Sequence, residues 1–112
     1  MNEITFDEFI KIDIRAGTII DVQPFEKARK PAWKVWVDFG EDIGVKKSSA
    51  QITKHYGKLN LIGRQVAAVV NFPPRQIADF MSEVLILGFP DDADEVVLIS
   101  PSKSVPNGGR LY

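Results

Sequence analysis

The chain has 112 residues, contains no cysteine and carries a formal net charge of -1. This length allows one hydrophobic core, and 45% hydrophobic with 26% charged residues is typical of a globular domain rather than a disordered chain. No apolar run approaches the roughly 20 residues that span a bilayer, and neither a disulfide nor a thiolate metal site can form. We therefore expect one domain over residues 1–112, cytoplasmic, without signal peptide or membrane span.

Positive charge is concentrated in the middle of the chain. Residues 27–75 carry ten Lys or Arg against three acidic residues, whereas the remainder carries four against twelve. The overall pI of about 5.8 lies well below the basic value that usually marks a nucleic-acid-binding domain. A basic segment can still attract a polyanion when the total charge does not, so composition does not exclude RNA.

The N-terminal segment predicts a short helix. Thr5–Glu8 matches a capping box, in which the Thr hydroxyl and the Glu carboxylate bond to the first free N–H groups of a helix. Phe6, Phe9 and Ile10 would share one stripe of this helix, which we expect to end near Lys11. Because so short a helix is marginal alone, the stripe must pack against another surface.

Two long strands are predicted next. Apolar and polar residues alternate over Ile12–Val22, where Gly17 indicates a bend or bulge. Trp33–Phe39 is the clearest strand, with every second residue from Trp33 on its apolar face. Because Trp36 lies on the opposite face, we expect Trp33 in the core and Trp36 exposed, at a dimer contact or under the N-terminal helix.

The second half of the chain predicts shorter elements. The patterns indicate further strands at 45–52, 64–71, 84–89 and 96–100, turns at 40–44 and 91–95, and a short helical connection at 53–57. Val66–Val70 lacks alternation, as in a strand buried on both sides. Pro73 and Pro74 must leave the sheet because proline cannot donate to a ladder. The set predicts an all-β fold with short helices, either a partly open barrel or a β-sandwich.

Motifs for catalysis or metal binding are scarce. The chain has no glycine-rich phosphate loop and no serine in a Gly-x-Ser-x-Gly setting, so we expect no enzyme activity. His55 is the single histidine and has no carboxylate at helical ligand spacing, which favours a structural or surface role. The acidic turn at 91–95 lacks the length of an EF-hand. No metal and no cofactor are predicted.

Several segments resemble the tRNA-binding-domain family, whose OB-fold domain is appended to some methionyl- and phenylalanyl-tRNA synthetases and also occurs free-standing. The segments that match in order are Asp13–Ile19, Val37–Gly40, Leu61–Val66 and Val69–Arg75. Others resemble the CsaA branch of export-related chaperones in particular, and these are Phe25–Ala32, Val45–Ile52 and Val105–Gly108. The resemblance implies a five-stranded OB-fold β-barrel with an N-terminal helix and a C-terminal extension.

The resemblance also implies an assembly and a ligand. The N-terminal helix and the C-terminal segment would build a homodimer interface from Phe6, Phe9, Ile10, Val105, Pro106 and Asn107. The partners it implies are unfolded or precursor polypeptides and the export machinery. The alternative partner is tRNA or another structured RNA, bound through a basic face of the barrel.

Candidate ligand-binding residues come from three places in the sequence. Lys46, Lys47, Ser48, Ser49 and Gln51 would follow one barrel face; Asn71, Phe72, Arg75 and Ser82 would lie near it in the family pattern; and Trp36 would offer an aromatic surface. Without the resemblance, the two lysines would more simply be a solvated strand edge, where lysine prevents unwanted pairing. Pro73 and Pro74 would stiffen one lip of the groove or simply end a strand.

Overall fold

The computed structural model describes all residues from Met1 to Tyr112, and most of its regular structure is β. The elements in chain order are α1 (Phe6–Phe9), β1 (Ile14–Pro24), β2 (Trp33–Asp38), β3 (Val45–Ala50), α2 (Lys58–Leu61), β4 (Gln65–Val69), β5 (Arg75–Ile77), β6 (Phe80–Ser82), β7 (Leu85–Ile86), β8 (Gly88–Pro90) and β9 (Val96–Leu98). Five strands form one antiparallel sheet in the order β3-β2-β1-β4-β7, and β5-β6 and β8-β9 form separate hairpins. This nearly closed sheet confirms the predicted barrel.

The main core fills the inside of the curved sheet. Val35, Val37 and Phe39 are fully buried, as the alternation along β2 predicts, and they pack with buried side chains of β1, α2 and β4. All of Val66–Val69 is buried, which confirms that this strand is covered on both sides. The barrel interior is therefore a packed core.

Gly17 allows β1 to pass close to the end of β2. A Cβ atom added at Gly17 would lie 2.6 Å from Val37 Cγ1 and 2.7 Å from Phe39 Cδ1, so no side chain fits there. The expected bulge is not at this residue, because the pairing with β2 shifts register between Ile19 and Asp21. Gly17 serves close packing, and the extra residue that bends the strand is Ile20.

The predicted capping box is confirmed at α1. Glu8 N donates to the Thr5 hydroxyl at 3.2 Å, and Thr5 N donates to the Glu8 carboxylate at 3.1 Å. The helix ends at Phe9, before the expected limit at Lys11. Neither α1 nor α2 has the length and apolar character needed to cross a membrane.

Two short-range predictions were wrong. The helical connection lies at Lys58–Leu61 rather than 53–57, because Gly57 is extended and its N–H donates to Asn60 Oδ1 at the helix start. The strand predicted at 84–89 is divided at Leu87, whose N–H donates to Ala67 O while its carbonyl accepts from Ile99 N. Leu87 thus bonds to β4 and to the segment after β9, which redirects the chain.

The hairpin of β5 and β6 has no counterpart in the predictions. Its turn places Ala78 at a positive φ of 51°, an uncommon conformation for a residue with a side chain. Phe80 anchors the hairpin, since its ring is buried against Phe25 at a centroid distance of 5.4 Å. This aromatic contact helps to hold the hairpin to the barrel, together with a hydrogen bond from Ser49 of β3 to Ser82 of β6.

Candidate ligand-binding cleft

The barrel has a seam between its two end strands. β3 and β7 run parallel. Residues 82–83, which shortly precede β7, form hydrogen bonds with the middle of β3. Glu83 N donates to Lys47 O at 2.8 Å, Lys47 N donates to the Glu83 carboxylate at 3.1 Å, and Ser49 N donates to the Ser82 hydroxyl at 3.1 Å. These bonds close the seam as far as Ser49.

Beyond Ser49 the seam opens into a cleft of about 490 Å³. Its wall is mostly apolar, and the lining residues are Ser49, Ala50, Gln51, Ile52, Phe72, Pro73, Arg75, Ile77, Ser82, Glu83, Val84, Leu85, Ile86 and Val96. Five residues proposed from sequence as ligand contacts meet here, namely Ser49, Gln51, Phe72, Arg75 and Ser82. A cleft of this size suits two or three apolar side chains with polar groups at its rim.

The other residues proposed on β3 do not share one face. Trp36 lies opposite Lys47 in the sheet, and Val37 lies opposite Lys46, so the two lysines point to opposite sides of β3. Ser48 is 1% exposed and its hydroxyl donates to Ser49 O. Ser48 is therefore a correction to the predicted set, because its side chain does not reach the surface.

The outer face of β2 carries a second, smaller apolar cluster. Trp36 is half-buried and meets the Phe80 ring edge-on at 6.0 Å, beside buried Phe25. Lys34 Nζ and Lys47 Nζ each lie 5.3 Å from the centre of the Phe80 ring. Trp36 is thus partly covered by aromatic residues of its own chain, and its role as a ligand contact stays a prediction.

The two tryptophans lie on opposite faces of β2, as the alternation of apolar and polar residues predicted. Trp33 packs against the main core and its indole N–H donates to Tyr56 O at 2.9 Å.

On the other side of the sheet, an ion pair of 2.9 Å between Lys27 and Asp79 joins the loop after β1 to the β5-β6 turn. The hydrogen bond from Lys27 lowers the pKa of Asp79, but an exposed pair of this kind adds little stability.

Asn71 ties the N-terminal segment to the barrel. Its Oδ1 accepts from Asp13 N at 3.0 Å and its Nδ2 donates to Lys11 O at 2.8 Å. Both ends of the amide therefore bind backbone of the same chain. Within the chain its amide positions α1 and the start of β1, and its role as a ligand contact stays a prediction.

The proposed interface residues lie around two adjoining apolar grooves. Phe6 is 68% exposed, Ile10 is exposed, and Phe9 and Ile10 line a groove with Leu111 and Tyr112. Val105 lines the neighbouring groove, which shares Arg110, Leu111 and Tyr112 with the first. The Phe6 ring lies 6.1 Å from the Phe9 ring and is mostly exposed.

Asn107 has a role within the chain itself. Its Oδ1 accepts from the Thr18 hydroxyl at 2.7 Å and from Gln65 Nε2 at 3.1 Å. The C-terminal segment is thereby attached to β1 and β4. Val105 and Pro106, next to it, are exposed.

A charged group links the two termini. Arg15 donates from Nε and Nη2 to the Asp13 carboxylate at 2.6 and 3.2 Å and from Nη1 to Gly108 O at 2.9 Å. Arg110 Nε lies 3.6 Å from Asp13 and its Nη2 donates to Ile10 O. The hydrogen bond from Arg15 holds the pKa of Asp13 below its usual value of about 3.8.

The Asp13 carboxylate, bonded to Arg15, should make a contribution to stability that is lost in acid. Because the pKa of Asp13 is lower in the folded chain, its contribution is present above about pH 3.8 and is lost as the pH falls through the folded value. Asp13→Asn should therefore be less stable than the wild type at pH 7, and the difference should shrink below pH 3.8. Urea unfolding at a series of pH values measures it, with the exposed Asp79→Asn as a nearly neutral control. A difference that does not change with pH would contradict the assignment.

His55 and the acidic turn contact each other. His55 Nε2 lies 2.6 Å from Asp91 Oδ2, while the other oxygen of Asp91 accepts from Ala93 N and Glu95 N. These bonds, first that from Glu95 N, lower the pKa of Asp91. No group of three or more His, Cys, Asp or Glu side chains is placed to hold a metal ion.

Comparison with known proteins places this architecture in a family. The family described as "Putative tRNA binding domain" matches residues 14–110, which include every strand of the sheet and the cleft. The chain belongs to the tRNA-binding-domain family. This confirms the resemblance seen in the sequence.

Two solved structures place the chain in the CsaA branch of this family. The chaperone CsaA of Bacillus anthracis is 46% identical with a TM-score of 0.92, and the alignment covers 99% of this chain and 100% of that one. The CsaA chaperone protein of Picrophilus torridus is 49% identical with a TM-score of 0.91, covering 98% and 100%.

Family members with synthetase names share only this domain. The methionine–tRNA ligase of Thermococcus onnurineus is 34% identical over 108 residues, which are 96% of this chain and 14% of the ligase. That of Methanococcoides burtonii is 35% identical over 97% of this chain and 16% of the ligase. The chain thus spans about one seventh of the length of these curated relatives.

Sequence reasoning missed much of the apolar wall of the cleft. The residues that line it come from three separate stretches of the chain, and they are Ile52, then Val84, Leu85 and Ile86, and then Val96. Each is an ordinary apolar residue of a predicted strand, and no local pattern distinguishes it from a core residue. Phe80 was also missed, because its contact with Phe25 joins residues far apart in the chain.

Proposed function

We propose that the chain is a CsaA-like molecular chaperone, which binds unfolded or precursor polypeptides in the cytoplasm and assists their export. The observation that carries this proposal is the cleft at the open end of the seam, with its mostly apolar wall. Unfolded polypeptides expose apolar side chains that a folded protein hides, and burying such groups is favourable by about 25 cal/mol per Å². A cleft of this kind selects for unfolded segments.

The outer face of β2 supports a polypeptide ligand over a nucleic acid. Barrels of this kind bind single strands by stacking bases on exposed aromatic rings. Here Trp36 and Phe80 pack against each other, and two lysine ammonium groups already lie over the Phe80 ring. The open apolar surface is in the cleft, on a different part of the barrel.

We also propose that the chaperone acts as a homodimer. The exposed apolar stripe of α1 and the two grooves beside the C-terminal residues form a continuous uncovered surface. A surface of this kind on one chain can pair with the same surface on a second copy around a two-fold axis. Two clefts in one particle would raise the avidity for a long unfolded chain.

A charge placed in the cleft tests the polypeptide proposal. Leu85 lines the cleft and is 49% exposed, whereas Val97 is 42% exposed and lies outside it on β9. Leu85→Glu should weaken binding of a labelled unfolded precursor about ten-fold or more, because a Leu contact is worth about 1.5–3 kcal/mol. Val97→Glu should bind as the wild type does. Fluorescence anisotropy measures both, and equal affinities for the two variants would contradict a ligand in the cleft.

The alternative function is binding of tRNA or another structured RNA. It is favoured by the family and by Lys34 and Lys47, which form no ion pair and lie side by side on the outer sheet face. Phosphate groups would bind between two such ammonium groups, and the basic segment 27–75 would steer them.

Salt dependence separates the two functions. RNA binding through phosphates falls steeply with salt, and removing one phosphate-binding lysine lowers the slope of log K against log salt by about 1. If RNA is the ligand, Lys47→Ala should show that change while Lys46→Ala, on the opposite face of β3, should not. Capture of apolar polypeptide should vary little with salt. Anisotropy titrations with labelled tRNA and with an unfolded precursor, over a range of salt concentrations, distinguish these results.

A further inference from the structure

Two residues that line the cleft carry main-chain groups with no partner in the chain. The N–H and C=O of Gln51 form no hydrogen bond within the protein, and the same holds for Val84. Both residues line the cleft, and Val84 is buried. Gln51 is exposed, but more than nine-tenths of buried main-chain groups in proteins are hydrogen-bonded, so the free groups of Val84 require an explanation.

The pattern of the seam shows where these groups point. Along a strand, the main-chain groups of every second residue face the same edge. Lys47 and Ser49 bond across the edge of β3 that is turned away from β2, and Gln51 is the next residue in that series. The edge therefore continues past Ser49 to Gln51, where no main-chain bond is made within the chain.

We propose that the cleft takes its polypeptide as an extended strand, whose own N–H and C=O groups pair with the free groups of Gln51 and Val84. This inference rests on the proposed function and adds the form in which the ligand is held. Side chains alternate along an extended strand, so every second apolar side chain of the ligand would enter the apolar wall formed by residues such as Ile52, Ile86 and Val96.

An extended ligand fits these observations better than a helix does. A helix uses its own N–H and C=O groups internally, so it would leave Gln51 and Val84 without partners. Main-chain pairing does not depend on side-chain identity, which suits a protein that accepts many unfolded sequences.

N-methylation of a peptide ligand tests the main-chain pairing. The probe is a fluorescein-labelled peptide of about nine residues with Val and Leu at alternate positions, and each N–H is methylated in turn. We expect methylation at two residues, those whose N–H groups face the free C=O groups of Gln51 and Val84, to lower the affinity about ten-fold, because each loses a hydrogen bond to the protein, and methylation at the other residues to change it less than about two-fold. Equal affinities for all the methylated peptides would overturn the proposal.

A matched pair of protein variants gives an independent test. Gln51→Pro removes the free N–H of residue 51, which has no bond to lose within the chain, whereas Gln51→Ala removes only the side chain. We expect peptide binding to be about ten-fold weaker for Gln51→Pro than for Gln51→Ala, since only the proline variant loses the main-chain N–H. Similar affinities for the two variants would overturn the proposal.

The outcomes keep this inference separate from the function on which it rests. If Gln51→Pro does not fold, as judged by its thermal unfolding, the peptide methylation series decides alone. If the unmethylated peptide and the unfolded precursor both fail to bind the wild-type protein, the proposed function fails and the inference with it. If both bind and the methylated peptides bind equally well, only the extended mode of binding is wrong.

Discussion

Replacing Phe39 by alanine is expected to lower the free energy of unfolding by about 3–5 kcal/mol. Phe39 is 1% exposed and follows β2, where its ring packs against the backbone of Gly17 and the main core. The barrel closes around this position on several sides, so the cavity left by the ring cannot collapse. A domain of this size has about 5–15 kcal/mol of stability in all, and this loss would be a large part of it.

Urea unfolding followed by the fluorescence of Trp33 and Trp36 measures this loss at a fixed protein concentration, because the stability of an oligomer depends on concentration. Phe72→Ala is the matched control, since Phe72 is exposed at the rim of the cleft. It should change stability by less than about 1 kcal/mol while weakening polypeptide binding. A loss below about 1 kcal/mol for Phe39→Ala would mean that the ring does not fill the core as described.

Placing charges on the α1 stripe is expected to convert a homodimer into a monomer. In the double variant Phe6→Glu with Ile10→Glu, four carboxylates would be brought together and desolvated at the two-fold interface, a cost of several kcal/mol. The particle mass should fall from twice 12.5 kDa to 12.5 kDa. Light scattering coupled to size-exclusion chromatography measures the mass directly.

The control for this experiment lies on another surface. Leu59, on α2, is 99% exposed, and Leu59→Glu should leave the mass unchanged. The barrel core does not include Phe6 or Ile10, so the double variant should still fold. A wild-type protein that is monomeric at micromolar concentration would contradict the proposed homodimer, and a double variant that stays dimeric would place the interface elsewhere.

Local patterns predicted the elements that depend on neighbouring residues. The capping box at Thr5 and Glu8 bonds within one turn, and the alternation along β2 separates Trp33 and Val35 from Trp36. Both follow from the geometry of a single helix or strand, so they can be deduced from sequence. The same rule placed Lys46 and Lys47 on opposite faces of β3, and grouping them as one binding surface neglected it.

The elements that sequence missed depend on distant residues. The β5-β6 hairpin is held by Phe80 against Phe25, which is far away in the chain. The strand predicted at 84–89 breaks at Leu87 because its N–H and C=O bond to residues on two other segments. Such bonds form only when the barrel has closed, so no local window contains the information.

The candidate site divides in the same way. The amino-acid sequence by itself determined the barrel class, the family and the residue types near the ligand, because these follow from periodicity and from motifs that stay together in the chain. Only the tertiary structure decided that Ser49, Gln51, Arg75 and Ser82 share one cleft, that Ser48 is buried, and that Trp36 is packed under Phe80. The physical reason is the seam: where β3 and β7 separate is set by the closure of the whole sheet, and that separation creates the cleft.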